Sequence, residues 1–571
     1  MDEDVDVGFE ARHLAARIQA GAPLGELRSA LEPTWKTPER LVHSLVGAVN
    51  LRGPSLASRP DFSTSFYQDL VTRHLGRGAL ALVFRDPIAG WQELTYEALH
   101  EQSARLAATW ITAGATPGQR IALVMPVGGP LALCLLTALR LGLIAVYLPP
   151  LGRSFVQHRL QTAAADRLVL TTGYAAWLGA DPEMMLPDVP DPGAVPQLGL
   201  PPHGYAPDEP ALEVFSLFGP ASVDPVPRGA QSLLTRLAID AELVLGLRNT
   251  DRLMAPDLDP LQHQPALMLT TLFAGACFIE AGARALEDEA LANRLRPTVV
   301  GVTPALRERI LEGAVATKGW RRWFKNPCDI YDWHRWETFG RRMTRAGAWG
   351  QNLVVSAAYG GAILFGPPQP EPQLEVLPGP GMAWALAEST LGRTVSSSDS
   401  GVLICDEEGA AEPTVGRFMM GDTGPALFVA GSADEGRSGT TYPVEEIVAA
   451  AEQHPAVDCA SVVVNRAVRL MNDARIVLLI FVDPSRDPRS SAGQLSDELQ
   501  ELLRIEMGER LVPDQIRIYP LCPQRTEDDT TDHSWCRWQF LTGELQSKAD
   551  DELFRLMSMA RRTVVRALSE A

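Results

Sequence analysis

From about Leu80 this chain alternates short apolar segments with Ala- and Leu-rich helical ones, and that alternation limits its fold more than any other feature. The segment ALALVFRD leads into WQELTYEAL and a helix running to Ala113. Pro117-Gly118-Gln119-Arg120 then turns into Ile121–Met125, and a helical Pro130–Leu141 precedes Ile144–Leu148. Leu168–Thr171 repeats the strand type. Strands with no polar alternation are buried on both faces, and the helices between them provide the crossovers that parallel pairing needs. The pattern predicts an α/β fold, with a large N-terminal body of parallel-rich sheets and flanking helices.

The pattern changes at both ends. Residues 1–60 read as short amphipathic helices around Ala11–Gln19 and Leu24–Leu31, punctuated by Gly21, Pro23, Pro33 and Pro38. After Gly431 a helix (Glu445–Glu452), strands Cys459–Val464 and Arg475–Phe481, a helix Ser496–Arg510 and a strand Gln515–Tyr519 read as a small α+β module. The expected organisation is a helical extension over 1–60, a large body over 61–433 and a small C-terminal lid domain over 434–571. Within the body, 175–212 reads as loop from its Pro, Gly and Asp content, and Leu233–Leu247 and Gln264–Phe273 read as helices. Trp320, Trp323, Trp333, Trp336 and Trp349 lie among arginines and read as aromatic packing with Arg stacking.

Charge narrows the function classes. The formal net charge is −19, and only four lysines occur: Lys36, Lys318, Lys325 and Lys548. Spread acidity without basic stripes argues against nucleic acid as a partner. Seven cysteines without metal-ligand spacing suit a reducing compartment. The acidic start lacks a secretory pattern, and Pro126, three glycines and Arg140 interrupt the most apolar stretch, near Ile121–Pro150, so no membrane span is expected. These features lead to the expectation of a cytoplasmic protein.

Several segments, in order along the chain, carry a resemblance. Leu94-Thr95-Tyr96-Glu97-Ala98-Leu99, Gly118-Gln119-Arg120-Ile121-Ala122-Leu123, and Val146-Tyr147-Leu148-Pro149-Pro150 with Arg159-Leu160 come first. Pro227-Arg228-Gly229, Gly360-Gly361-Ala362, Trp384-Ala385-Leu386-Ala387-Glu388-Ser389-Thr390-Leu391 and Gly421-Asp422-Thr423-Gly424 follow. Gly439 to Ile447 and Cys536 to Leu545 complete the set. Together they resemble the adenylate-forming superfamily, whose members make an acyl-AMP from ATP and a carboxylate and pass the acyl group to a thiol or other acceptor. Within it the nearest resemblance is to fatty acyl-AMP ligases, which load acyl carrier proteins.

The resemblance implies roles and also departures. Arg228 and Gly229 close the phosphate loop, with Arg in place of the family's lysine. The preceding run from Phe218 to Pro227 holds three prolines and Asp224 and has lost nearly all its hydroxyls, so it offers fewer donors to a triphosphate. Gly360 and Trp384 fall at nucleotide-binding positions. Glu388 matches the glutamate that helps hold Mg2+, and Asp422 the aspartate that accepts hydrogen bonds from the ribose hydroxyls. Asp434 or Glu435 matches the hinge of the lid. Counting back from Cys536 puts Thr530 at the catalytic lysine position, where a hydroxyl replaces a cation and Glu527, Asp528 and Asp529 add repulsion. Lys548 lies beyond the aligned flank on an expected helix.

Two functional expectations follow. The first is a divergent AMP-dependent ligase that uses ATP and Mg2+ to activate a carboxylic (fatty) acid for transfer to an acyl carrier protein thiol. The second is a catalytically degenerate homologue that binds an acyl group, acyl-adenylate or nucleotide as a scaffold or regulator. With Thr530 in place, ordinary adenylation is expected to be impaired.

Overall fold

In the computed structural model the described residues are 4–36, 41, 65–171, 174, 178–191, 193–215, 225–258, 260–327, 333–357, 359–371, 373–387, 400–406, 417–421, 424–431, 444–465, 475–482, 492–525, 531–557 and 560. The chain forms two compact units, one of residues 1–149 with 159–433, the other of 150–158 with 434–571.

The first unit contains three sheets. The largest has nine strands, in the order Leu377–Pro378, Gly361–Phe365, Trp349–Ser356, Arg322–Lys325, Val299–Gly301, Arg252–Met254, Cys277–Ile279, Leu80–Asp86 and Gly90–Thr95. Its six central strands run parallel, and its edges are antiparallel. A six-stranded sheet follows the order Met185–Leu186, Arg167–Leu170, Arg120–Val124, Ile144–Leu148, Pro210–Val214, Val226–Gly229, parallel except at the last pair. All five residues of Ile144–Leu148 are buried, as an interior parallel strand requires. The α/β architecture is the expected one. The third sheet is wholly antiparallel: Ala383–Ala387, Ser400–Asp406, Arg417–Gly421 and Gly424–Gly431.

Two local readings need correction. The expected loop over 175–212 contains strands Met185–Leu186 and Pro210–Val214. Buried Glu213 interrupts the apolar pattern there, and its carboxylate is held by Arg120 at 3.0 Å. The single helix expected over Leu233–Leu247 is an α-helix, Ala230–Ile239, continued by one π-helical turn, Asp240–Val244.

The N-terminal helices Asp4–Gln19 and Leu24–Lys36 are built into the core of the first unit. Ile18, Leu27 and Leu31 are fully buried, and Trp35 nearly so. The second helix was expected to stop before Pro33 but continues to Lys36. Burial of Trp35, with its hydrogen bond to the Gly379 carbonyl, outweighs the local cost of proline in the last turn. The expected tryptophan packing is present in part: Trp323 and Trp336 stack at 6.0 Å and 8°, with the Arg307 guanidinium 4.6 Å from the Trp336 ring, whereas Trp349 is exposed.

The second unit has a three-stranded sheet, Val457–Asn465, Arg475–Val482 and Gln515–Tyr519, with helices Val444–Glu452 and Ala492–Met507. Leu499 and Leu503 of the longer helix are fully buried. Residues 151–154 lie against the end of this helix: the Ser154 hydroxyl bonds to the Glu506 carboxylate, and a Cβ at Gly152 or Gly508 would overlap backbone atoms. No described helix is long and apolar enough to cross a membrane.

Candidate functional site

Of the residues named from the sequence, Arg228, Gly229, Gly360 and Trp384 are among those the structure describes, and all four lie in the first unit. Arg228 lies on the strand Val226–Gly229, paired antiparallel with Leu212. Its guanidinium sits 5.5 Å from the centroid of the Tyr359 ring. Tyr359 precedes Gly360, which takes φ +81° in the turn between Trp349–Ser356 and Gly361–Phe365. That left-handed backbone suits glycine, and a Cβ there would come within 3.1 Å of Leu233. Gly229 is extended instead. It precedes the Ala230–Ile239 helix, and a Cβ would lie 3.2 Å from the Pro207 carbonyl oxygen, so close backbone approach explains this glycine.

A second arginine shares the same tyrosine. Arg236, buried on the helix after Gly229, places its guanidinium 5.0 Å from the Tyr359 ring centroid. It donates to the carbonyls of Pro380 at 3.1 Å and Gly381 at 3.4 Å. One turn further on, buried Asp240 accepts the Ala362 N–H at 2.8 Å through Oδ2, while Oδ1 has no hydrogen-bond partner among the described residues. Burial pushes the Asp240 carboxyl up to about 7, against the pull of Arg236 and the Ala362 N–H. A Cβ at Gly361 would overlap this carboxylate, so the Gly360-Gly361-Ala362 turn and Asp240 fit each other only with glycine at 361.

Trp384 is half-buried on the strand Ala383–Ala387. The Trp35 ring meets it edge-on at 6.1 Å and 84°. The Trp35 N–H donates to the Gly379 carbonyl at 3.1 Å, and the Thr34 hydroxyl accepts the Gly381 N–H at 3.2 Å. Arg228, Gly229, Gly360 and Trp384 are therefore linked within one unit through Tyr359, Arg236 and the 379–381 turn. With Arg236 committed to the 379–381 turn, this arrangement offers the Arg228 guanidinium, a glycine turn and a half-buried indole, groups suited to a phosphate and a flat base.

Glu388, Asp422, Asp434 and Thr530 lie outside the described residues. Among the described residues nearby in sequence, Ala387 ends a strand, Gly421 pairs with Gly424, and Arg525 pairs with Thr531. Lys548, on the helix Glu544–Asp550, is held by Gln539 and by Glu544 at 3.1 Å. Among the described residues no three His, Cys, Asp or Glu side chains gather as a metal site. A small pocket elsewhere in this unit, lined by Trp323, Lys325, Gln351 and Asn352 among others, has room for about one water molecule, too little for a nucleotide.

Sequence reading missed Tyr359, Arg236, Asp240 and Trp35. Tyr359 carries a faint signal, being next to the Gly-Gly pair. Arg236 and Asp240 sit on a helix whose other residues read as ordinary core, and Trp35 is hundreds of residues from its partners.

Comparison with known proteins bears on this arrangement. Residues 71–198 match the family model described as AMP-binding enzyme. No curated protein matches the chain in sequence. Among solved structures, o-succinylbenzoate CoA synthetase from Bacillus subtilis aligns with TM-score 0.63 at 13% identity, over 82% of this chain and 98% of that one. An artificially fused adenylation–PCP di-domain NRPS from Klebsiella oxytoca, NpsA-ThdA, aligns with TM-score 0.62 at 14% identity, over 80% and 94%. A benzoate CoA ligase from Burkholderia xenovorans LB400 aligns with TM-score 0.52 at 19% identity, over 83% and 99%. At these identities the likeness establishes the fold.

Proposed function

We propose that the chain is a divergent AMP-dependent ligase of the fatty acyl-AMP ligase type, activating a carboxylic acid as its acyl-adenylate and passing the acyl group to a carrier-protein thiol. The observation that supports this most is the AMP-binding enzyme match over 71–198, set in a chain that shares its fold with acid–CoA synthetases and an NRPS adenylation domain over about four-fifths of its length. In the first step a carboxylate oxygen attacks the α-phosphorus of ATP, the bond to the β-phosphate oxygen breaks and pyrophosphate leaves. In the second, the thiolate sulfur attacks the acyl carbonyl, AMP leaves, and the thiol proton passes to solvent.

Each residue has a defined part in this reading. Arg228, braced on Tyr359, supplies positive charge where the phosphate loop ends. Gly360 and Gly361 let the chain turn tightly beside it, and Asp240 fixes that turn. Trp384 offers a ring face to the base, and Asp422 accepts from the ribose hydroxyls. Mg2+ in such reactions takes phosphate oxygens and water with one or two carboxylates, and Glu388 is the carboxylate proposed for it. Thr530 supplies no cation, so adenylation runs slowly.

The test mixes the full chain with ATP, Mg2+ and a panel of fatty and aryl acids and follows pyrophosphate release, offering coenzyme A or a phosphopantetheinylated carrier protein as acceptor. Release that Asp422→Ala abolishes, with thioester forming on the carrier protein, is the expected result. The three loop prolines and Thr530 favour a second reading, a degenerate binding protein. No release from any acid while AMP still binds would select it. Failure to bind AMP or an acyl-adenylate analogue would remove both readings.

A further inference from the structure

Residues 1–36 have no role in the site that the resemblance implies, yet the fold brings them to it. The helix Leu24–Lys36 continues through Pro33, and its last turn delivers Thr34 and Trp35 to the Gly379–Gly381 turn and to Trp384. Arg236 donates to the Pro380 and Gly381 carbonyls of the same turn and packs on Tyr359, against which Arg228 also lies. The turn is thus held by the N-terminal extension and by the helix that follows Gly229.

The extension is anchored well away from this contact too. Gln19 donates to the Leu243 carbonyl at 2.6 Å, and Gln369 donates to the Gly21 carbonyl at 2.8 Å. Together with the burial of Leu27 and Leu31, these bonds fix the helix that carries Trp35. Trp384 is half-buried, and the described aromatic ring packed against it is that of Trp35. An indole with one edge-on neighbour has a restricted tilt, which a ring must have before a planar base can stack on it without ordering cost.

We propose that the helix Leu24–Lys36 is part of the nucleotide site and that Trp35 is a positioning residue, fixing the Trp384 indole for stacking of the nucleotide base. This rests on the proposed function, in which Trp384 meets the nucleotide. Trp35 touches no reacting atom; it acts through Trp384.

The experiment is a double-mutant cycle on the full chain, with AMP and an acyl sulfamoyl-adenosine as probes, affinities measured by calorimetry and folding checked by thermal melting. W35A is expected to weaken AMP binding about 3- to 10-fold, the range an edge-to-face aromatic pair provides. W35F, which keeps a ring at the contact, is expected to stay within about 2-fold of the parent. In a W384A background W35A is expected to have little further effect, because the ring it positions is gone. If W35A binds AMP like the parent, or if its loss simply adds to that of W384A, the proposal is overturned while the functional reading stands. If the parent binds neither probe, the functional reading fails and this proposal fails with it. Should W35A not stay folded at the assay temperature, the same cycle is read with W35L, which fills the volume without an aromatic edge, and W35L binding like the parent overturns the proposal.

Discussion

Arg228 and Arg236 lie against one tyrosine ring, and their different tasks can be separated by substitution. Arg236 is committed to two backbone carbonyls, so its loss would loosen the 379–381 turn. Arg228, at the end of the phosphate loop, is the residue proposed for phosphate. Arg228→Ala is expected to lower ATP or AMP affinity about 10- to 100-fold, as for loss of a charge-assisted contact, with little change in melting temperature. Arg228→Lys recovers part of this, since it keeps the charge but not the planar stacking. Asp240 makes a prediction about pH. Burial raises its carboxyl from the ordinary Asp value of 3.8 to about 7, so between those values the folded chain holds a proton that the unfolded chain has lost. This contribution to stability is full below about pH 4 and is lost as pH rises through 7, at ~1.4 kcal/mol per pH unit or less. Arg236 is the cation that acts on it and limits the effect. Asp240→Asn is expected to flatten this part of the profile, which urea midpoints at pH 5 and pH 8 would measure. An unchanged slope would mean that Asp240 does not titrate there.

At the scale of elements, legibility followed periodicity. Ile144–Leu148 lies where its apolar run puts it, because an uninterrupted apolar segment between turns has few other uses. Pro210–Val214 was hidden by Glu213, whose partner Arg120 lies on another strand far away in sequence. The helix Leu24–Lys36 was expected to be short because Pro33 is a local stop signal, while the forces that carry the helix past it are tertiary and have no local signature. The same limit applies to the site. Arg228 and Gly360 were legible from motif order, but Trp35 and Asp240 were not, since only the folded chain sets them beside Trp384 and Ala362. The N-terminal helices are core elements, and that has a measurable consequence. Leu27 is fully buried, so Leu27→Ala is expected to cost about 2–5 kcal/mol by the sum of lost transfer energy and residual cavity. A denaturant titration of the full chain would check it, and a cost below about 0.5 kcal/mol, the level of an ordinary surface change, would show that the extension is peripheral.

At the scale of the whole molecule, the chain shares its fold with the solved structures it aligns to, while its sequence departs from the pattern it resembles at positions tied, in the proposed function, to one chemical step. The sheets, the Gly360-Gly361 turn and the flank from Cys536 onward are built from core pattern and tight turns, which depend on packing. The prolines before Arg228 and the hydroxyl of Thr530 stand where the resemblance places groups that grip a triphosphate and neutralise charge as pyrophosphate leaves. Neither group has a part in the later attack of a thiol on an acyl-adenylate. If the proposed function holds, the losses therefore fall on the first step and spare the second. Supplied with preformed acyl-adenylate and a carrier-protein thiol, the chain is expected to form thioester at least about tenfold faster than from acid, ATP and Mg2+, because removal of one preorganised charge stabiliser costs ~2.7–4 kcal/mol in the step that uses it. Single-turnover measurements with the same acyl group in both assays separate the two steps. Equal rates would place the slow step after adenylation and show that Thr530 and the altered loop do not limit turnover. A rate from acyl-adenylate no greater than the thiol's uncatalysed reaction would leave the protein without transfer chemistry, and its fold would then serve recognition alone.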